Sequence, residues 1–213
     1  MISLLPENLP ENAQELKEIA DSKGDLITKA EAVGGELVLW AKSDRLLALV
    51  QFLRSDAAAQ CTQLMDITAV DYPGKSPRFV VVYQFLSLTI NLRVRVKVAS
   101  DEGEALPSVE GLFPSAGWYE REVWDMYGLY FSGNQDLRRI LTDYGFEGHP
   151  LRKDFPLTGH SQVRYDAEEQ RVVYEPVRLA QEYRSFDFLS PWEGMTGAPN
   201  LPGDEKAGEG SAQ

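Results

Sequence analysis

The stretch Ile90-Asn91-Leu92-Arg93-Val94-Arg95-Val96-Lys97-Val98 alternates apolar and polar residues without a break. Successive side chains of a strand point to opposite faces, so this is a half-buried β-strand with Ile90, Leu92, Val94, Val96 and Val98 turned to a core. Just upstream, Phe79-Val80-Val81-Val82-Tyr83 is β-branched and aromatic throughout and reads as a central strand. Together the two predict an antiparallel hairpin. The polar face of the second strand carries Arg93, Arg95 and Lys97 on an otherwise acidic protein. That face is either solvated or a docking surface for an acidic partner, and the sequence leaves both open.

Working outward, Glu36–Ala41 reads as a further strand. Ser43 then stands where an N-cap should, with Asp44 in the first turn. Leu46, Leu49, Val50 and Leu53 follow at the i, i+3, i+4, i+7 spacing of an amphipathic helix. Gln63–Val70 is another strand, closed by the turn Asp71-Tyr72-Pro73-Gly74. Between Glu11 and Ala32, Leu16, Ile19 and Ala20 fall at helical spacing, and Gly24 divides the region into two expected short helices. Pro107–Pro114 is a connector or a short helix. Trp118–Tyr127 is expected to be helical, stopped by Gly128 at its C′ position. On that helix Arg121 and Asp125 are i, i+4 neighbours, as are Trp118 and Glu122.

After Gly128 the pattern changes. Gly133, Gly145, Gly148, Pro150, Pro156 and Gly159 interrupt every few residues and exclude a long regular element. Tyr165–Pro191 is polar with scattered aromatics and could lie extended over a partner. From Glu193 onward Gly, Pro, Ala and charge dominate, and a disordered tail is expected. The expected fold is therefore α+β: a compact N-terminal domain with a mixed or antiparallel sheet and packed helices, then an extended, loop-rich C-terminal segment. The expected boundaries are 1–128 for the domain, 129–192 for a segment ordered mainly by partners, and 193–213 for the tail.

Composition removes several function classes. The formal net charge of −12 over 213 residues argues against nucleic-acid binding and against a basic membrane-surface patch. One cysteine, Cys61, allows neither a disulfide framework nor a cysteine-held cluster, and it reads as a small core hydrophobe in a reducing compartment. The opening Met1-Ile-Ser-Leu-Leu-Pro-Glu-Asn has the character of neither a signal peptide nor an Arg-rich transit peptide. No apolar run reaches the roughly 18 residues of a membrane span. Neither G-x-G-x-x-G nor G-x-x-x-x-G-K-[ST] occurs, and His149 and His160 are too few and too far apart for a local metal site.

The densest chemistry lies in Trp118-Tyr119-Glu120-Arg121-Glu122-Val123-Trp124-Asp125-Met126-Tyr127-Gly128, in Asp136-Leu137-Arg138-Arg139-Ile140-Leu141-Thr142-Asp143-Tyr144-Gly145, and in His149-Pro150-Leu151-Arg152-Lys153-Asp154-Phe155-Pro156-Leu157. Bulky aromatics beside Arg, with charges of both signs, compose a surface built to be covered by another protein. The expected interface residues are Trp118, Glu120, Arg121, Glu122, Asp125, Asp136, Arg138, Arg139, Arg152, Lys153 and Asp154. No catalytic, cofactor-binding or metal-ligating residue is expected. Glu120, Glu122 and Asp125 could in principle serve a stand-alone hydrolase as acid and base. On a helix, however, Glu120 and Glu122 point apart, and Arg121 is available to pair with Asp125.

These three stretches resemble the 30 kDa subunit family of respiratory complex I, the proton-pumping NADH–quinone oxidoreductase. The likeness extends to Asp66-Ile67-Thr68-Ala69-Val70-Asp71-Tyr72-Pro73, Arg78–Leu88 and Leu92–Lys97, and covers about residues 30–192. One position departs: after Phe131-Ser132-Gly133 the family usually has His-Pro, and here Asn134-Gln135 stands. That loss implies that no titratable or metal-binding role is required there. The resemblance implies a cofactor-free structural subunit of the peripheral arm, with FMN, iron–sulfur clusters, NADH and quinone (ubiquinone among them) held by partner subunits. Its implied partners are the quinone-cavity subunit and the terminal iron–sulfur subunit. Its implied place is the cytoplasmic face of the bacterial inner membrane, peripheral through partners, or the matrix side in a mitochondrion. A related membrane-bound hydrogenase carries a similar module and is the nearest alternative.

Overall fold

Phe79–Ser87 and Leu92–Ser100 do form the expected antiparallel hairpin, and the rest of the main sheet is built outward from it. The structure is a computed structural model, and it describes residues 24–33 and 36–181. We label the strands β1 (Ile27–Val33), β2 (Glu36–Ala41), β3 (Gln63–Asp71), β4 (Phe79–Ser87) and β5 (Leu92–Ser100). Their order in the sheet is β1-β2-β5-β4-β3. All neighbours are antiparallel except β2 and β5, and that one parallel pair makes the sheet mixed.

Register explains the core. Leu39 of β2 lies beside Val96, Val96 beside Tyr83, and Tyr83 beside Ile67, so one row of apolar side chains crosses four strands on one face. Helix α1 (Leu46–Ser55) buries Leu46, Leu49, Val50 and Leu53 in the same core, the four residues its spacing singled out. Each such side chain stabilises the fold by about 1.5–3 kcal/mol when fully buried. The Cys61 thiol also lies in the core, and burial pushes it up to about 12, so it is inert as a nucleophile. On the opposite face the cations of β5 are divided. Arg95 donates to Glu36 at 2.8 Å and to Gln84 at 3.2 Å, and Lys97 lies 5.2 Å over the Trp40 ring. Arg93 is exposed, with Glu36 at 4.0 Å.

Two expectations give way here. Ser43 is not an N-cap: a short 3-10 turn, Ser43–Arg45, leads into α1 without a side-chain cap, and the Ser43 hydroxyl donates to Glu104 at 3.1 Å. The helix expected across the end of Glu11–Ala32 is also absent, because Ile27–Val33 is the edge strand β1. The sequence signal that outranks helical spacing is Gly34-Gly35 between two short runs, a hairpin signature. The strands pair from Val33 with Glu36 outward to Ile27 with Ala41. Leu16, Ile19, Ala20 and the tail 193–213 lie outside the described residues.

Ala105–Pro107 forms β6, which pairs in parallel with β7 (Tyr130–Ser132) across the helix α2 (Ala116–Tyr127). Between Pro107 and α2 the chain makes two successive turns, with the Phe113 amide donating to the Val109 carbonyl and the Ala116 amide to the Phe113 carbonyl. α2 ends where the sequence places its stop, at Gly128, with φ of 76°. From Gly133 the chain runs in irregular turns as far as Gly159, where the first compact unit ends. The segment expected to begin at 129 is thus packed into the same unit as the α+β core for its first part. The second unit begins at His160 and contains a hairpin, β8 (Ser161–Asp166) with β9 (Arg171–Pro176), within the stretch where the sequence suggested only extended chain. Among the described residues no helix is long and apolar enough to cross a membrane.

Gly128 provides a direct test of how α2 is terminated. A Cβ there would stand 2.5 Å from His149 Nε2 and 2.7 Å from Arg152 Nη2, in a left-handed backbone. The conformation alone costs a non-glycine residue about 1–2 kcal/mol. Gly128→Ala is expected to lower the thermal midpoint of the purified chain by roughly 4–8 °C. Gly74→Ala, whose Cβ would meet nothing within 4 Å, is expected to shift it little.

Candidate functional site

Helix α2 carries three buried ionic side chains, Glu120, Arg121 and Asp125. Burying a charge is costly unless it is paired and hydrogen-bonded, so each must have acquired partners. None takes them from another of the three. Asp125 faces a turn that follows β7 in sequence. Its Oδ2 accepts the backbone N–H groups of Ile140, Leu141 and Thr142 at 3.0, 2.8 and 2.9 Å. Its Oδ1 accepts the Thr142 hydroxyl at 2.6 Å and Arg139 Nη1 at 2.8 Å. A carboxylate has about four lone-pair sites, so these five donors saturate it. Burial pushes this carboxyl up, but the Thr142 hydroxyl and the three amides outweigh burial and hold it well below the usual carboxylate range.

Arg121, one helical turn before Asp125, holds the start of the same turn. Its Nε donates to the Arg138 carbonyl at 3.1 Å and its Nη2 to the Arg139 carbonyl at 3.0 Å. The expected Arg121–Asp125 pair therefore does not form. An exposed i, i+4 ion pair is worth only about 0.2–0.5 kcal/mol, while a hydrogen bond to a charged group contributes about 1.5–3 kcal/mol. Glu120 points to the opposite side of α2. It accepts the Ser108 hydroxyl at 2.7 Å, the Val109 amide at 2.8 Å and Asn134 Nδ2 at 2.9 Å. Asn134, the departure from the family pattern, is thus a donor that ties the turn after β7 to the helix. Burial raises the Glu120 carboxyl despite these three bonds.

The C-terminal end of α2 is closed by a second turn. The last carbonyls of a helix have no partner within it. Here the Trp124 carbonyl accepts the Gly128 amide at 2.8 Å, and the Met126 carbonyl accepts the Leu151 amide at 3.1 Å. His149 Nδ1 lies 3.0 Å from the Asp125 carbonyl, so this nitrogen carries the proton, and Arg152 Nε donates to the Tyr127 carbonyl at 2.6 Å. The guanidinium also meets the negative end of the helix dipole. A further buried carboxylate, Asp71 at the end of β3, accepts Arg78 through both oxygens at 2.7 and 2.8 Å and the Lys153 amide at 2.8 Å. Arg78 holds this carboxyl below its usual range. Arg78 and Arg152 lie 5.0 and 5.3 Å from the Phe79 ring.

The expected interface residues thus fall into two groups. Glu120, Arg121 and Asp125 are buried and bond within the chain, and Arg139 and Arg152 are half-buried and do the same. Trp118, Glu122, Asp136, Arg138, Lys153 and Asp154 are exposed. Glu120 and Glu122 do point apart, as helix geometry requires. Arg138 pairs with Asp136 at 2.8 Å, and Asp154 with Arg78 at 3.1 Å. Sequence reading missed Asp71, Arg78, Asn134, Thr142 and His149 as organisers of the site. Around them the surface exposes large apolar side chains, with Trp118 62%, Tyr144 97% and Leu157 83% exposed, beside Tyr130, Leu141 and Leu151.

Comparison with known proteins agrees with the geometry in where it falls. The family described as "Respiratory-chain NADH dehydrogenase, 30 Kd subunit" matches residues 39–161, from β2 into the start of β8. The chain is 62% identical to the C subunit of the NADH-quinone oxidoreductase of Paramagnetospirillum magneticum, over 81% of its own length and 85% of that protein. It is 60% identical to the protein of the same name from Hyphomonas neptunium, over 83% of this chain and 86% of that one. It is 56% identical to a C subunit of the NADH-quinone oxidoreductase of Rhizobium meliloti, over 95% of this chain and 98% of that one.

Glu120 gives the site a pH signature. Its carboxyl is raised above the ordinary 4.5 by burial, so the stability it contributes is present below that value and is lost as pH rises through the folded-state titration. Glu120→Gln cannot titrate. Thermal unfolding of both proteins between pH 4 and pH 8 is expected to show the wild type losing ground to Glu120→Gln as pH rises, by at most about 1.4 kcal/mol per unit within the titration window. A gap that is constant with pH, or that moves the other way, refutes this reading.

Proposed function

The chain belongs to the 30 kDa subunit family of respiratory-chain NADH dehydrogenases, and from that premise we propose that it is a structural subunit of NADH–quinone oxidoreductase. It supports electron transfer from NADH to quinone, coupled to proton translocation, without taking part in the chemistry. It holds no cofactor of its own. FMN, the iron–sulfur clusters, NADH and quinone are bound by partners, and the segment 118–159 docks chiefly against the subunit that walls the quinone cavity, beside the terminal iron–sulfur subunit. The assembly places it at the cytoplasmic face of the membrane, held there by partners.

One observation carries this reading. The buried ionic groups of α2 are committed to fixing the chain's own backbone, and the surface they fix displays exposed aromatics and leucines. Asp125 is saturated by five donors and Arg121 gives two of its nitrogens to main-chain carbonyls, so both spend their bonding capacity chiefly on the chain itself. A carboxylate used as a general base would need a free lone pair within reach of the proton it removes. Exposed large apolar side chains on a rigid frame are what an interface core requires, since little ordering entropy is then lost on association.

Arg139→Ala tests this directly. The guanidinium is half-buried between Asp125, the Thr142 hydroxyl and the Gly148 carbonyl, with the Trp124 and Phe146 rings at 5.7 and 5.8 Å. Removing it leaves a buried carboxylate short of its cation, at a cost of about 2–4 kcal/mol after allowing for partial exposure. Native gels of membranes are expected to show less assembled complex, with NADH-to-quinone turnover per assembled complex unchanged. Normal assembly with collapsed turnover per complex would place Arg139 at the chemistry and overturn the structural assignment.

A further inference from the structure

Beside the Asp125 turn lies an open cleft of about 560 Å³, lined by Arg121, Trp124, Arg138, Arg139, Asp143 and Tyr144 among others. On the reading of this chain as part of a larger complex, we propose that this cleft receives an acidic, extended segment of a neighbouring subunit. Charge is the first argument. The chain carries −12 overall, yet three guanidinium groups converge here against one lining carboxylate, Asp143, with exposed Asp136 2.8 Å from Arg138 and 3.8 Å from Arg121. Asp125 lies beneath them with its acceptor capacity already filled. A guanidinium has five N–H donors. Among the described residues Arg139 commits only Nη1 to hydrogen bonds, and Arg138 pairs only with exposed Asp136. Donor capacity therefore remains at the cleft, and a carboxylate, the anionic group a polypeptide itself carries, uses two N–H donors of one guanidinium at once.

Shape is the second argument. The walls are aromatic as well as cationic: Trp124 on the helix and Tyr144 at the tip of the turn, with Leu141 exposed next to it. A free anion gains nothing from such walls, whereas a peptide covers them with its own side chains. The turn that bears Leu141 and Tyr144 has three consecutive amides bonded to one buried carboxylate. It is fixed before the partner arrives, and binding costs correspondingly less ordering entropy.

The test uses the assembled complex. Tyr144 is replaced by the photo-cross-linker p-benzoylphenylalanine, the membranes are irradiated, and the cross-linked peptide is sequenced. The expected product joins this chain to one other subunit at a peptide rich in Asp and Glu. In an Arg138→Glu background the yield of that product is expected to fall about tenfold, as when an attractive contact at an interface is made repulsive. Arg138 is exposed, so the thermal unfolding of the purified chain should not move. Cross-links to a peptide without acidic residues, cross-links confined to this chain, or a yield indifferent to Arg138→Glu each overturn the proposal. A complex that contains this chain and gives such a result rejects the acidic occupant alone, whereas a complex purified without this chain rejects the subunit reading itself.

Discussion

Everything distinctive about this molecule depends on one buried carboxylate that takes no cation from its own helix. Asp125 is fully buried, and a buried carboxylate without compensation would destabilise the fold by several kcal/mol. Compensation arrives from outside α2, as three consecutive amides, a hydroxyl and a guanidinium, all from residues 139–142. The constraint acts both ways. The helix cannot bury Asp125 unless the turn is in place, and the turn has no regular hydrogen-bond ladder of its own to hold it without Asp125. A segment rich in glycine and proline is thereby given one conformation by side chains of α2, Asp125 with Arg121 beside it, rather than by secondary structure.

The same logic recurs at each place where the C-terminal segment meets the core. Glu120 takes the chain on both sides of α2, at Val109 and Asn134. Asp71 takes the amide of Lys153. The last carbonyls of α2 take His149, Leu151 and Arg152. Charged acceptors and helix-end carbonyls do the work that a sheet ladder does elsewhere in the molecule, and the side chains left over face outward. That arrangement supports the proposed role of holding a surface in shape.

How much of this the sequence made legible follows from the range of the forces involved. The period-2 run of β5 and the helical stripe of α1 were readable because burial of one face is a local pattern, and Gly128 was readable because a left-handed C-cap has few other solutions. Strand β1 was missed because a short edge strand buries only part of one face, and its residues mimic helical spacing as easily as alternation. The β8–β9 hairpin escaped for a related reason: both its faces are exposed or half-buried, so no core imprinted a period on it. At the site, the stretch from Trp118 to Asp154 was legible as dense in charges and aromatics, but the pairing among its residues was not. Proximity along the helix suggested Arg121 with Asp125. The structure instead sends each to groups 14–18 residues away, because several strong bonds, most of them to main chain, outweigh one weak exposed pair. Asp71, Arg78 and His149 were invisible as organisers because most of their partners are distant in sequence.

Amide hydrogen exchange on the purified chain, wild type against Asp125→Asn, addresses the central claim most directly. An asparagine at this position keeps the size but removes the charge and brings donors against donors. The account predicts that the amides of Ile140, Leu141 and Thr142 exchange slowly in the wild type, at rates approaching those of α2, and accelerate about a hundredfold in the variant, the equivalent of roughly 3 kcal/mol of lost local stability. Wild-type amides at 140–142 that exchange as fast as free loop, or protection that survives Asp125→Asn, would show that the turn is ordered by something other than this carboxylate.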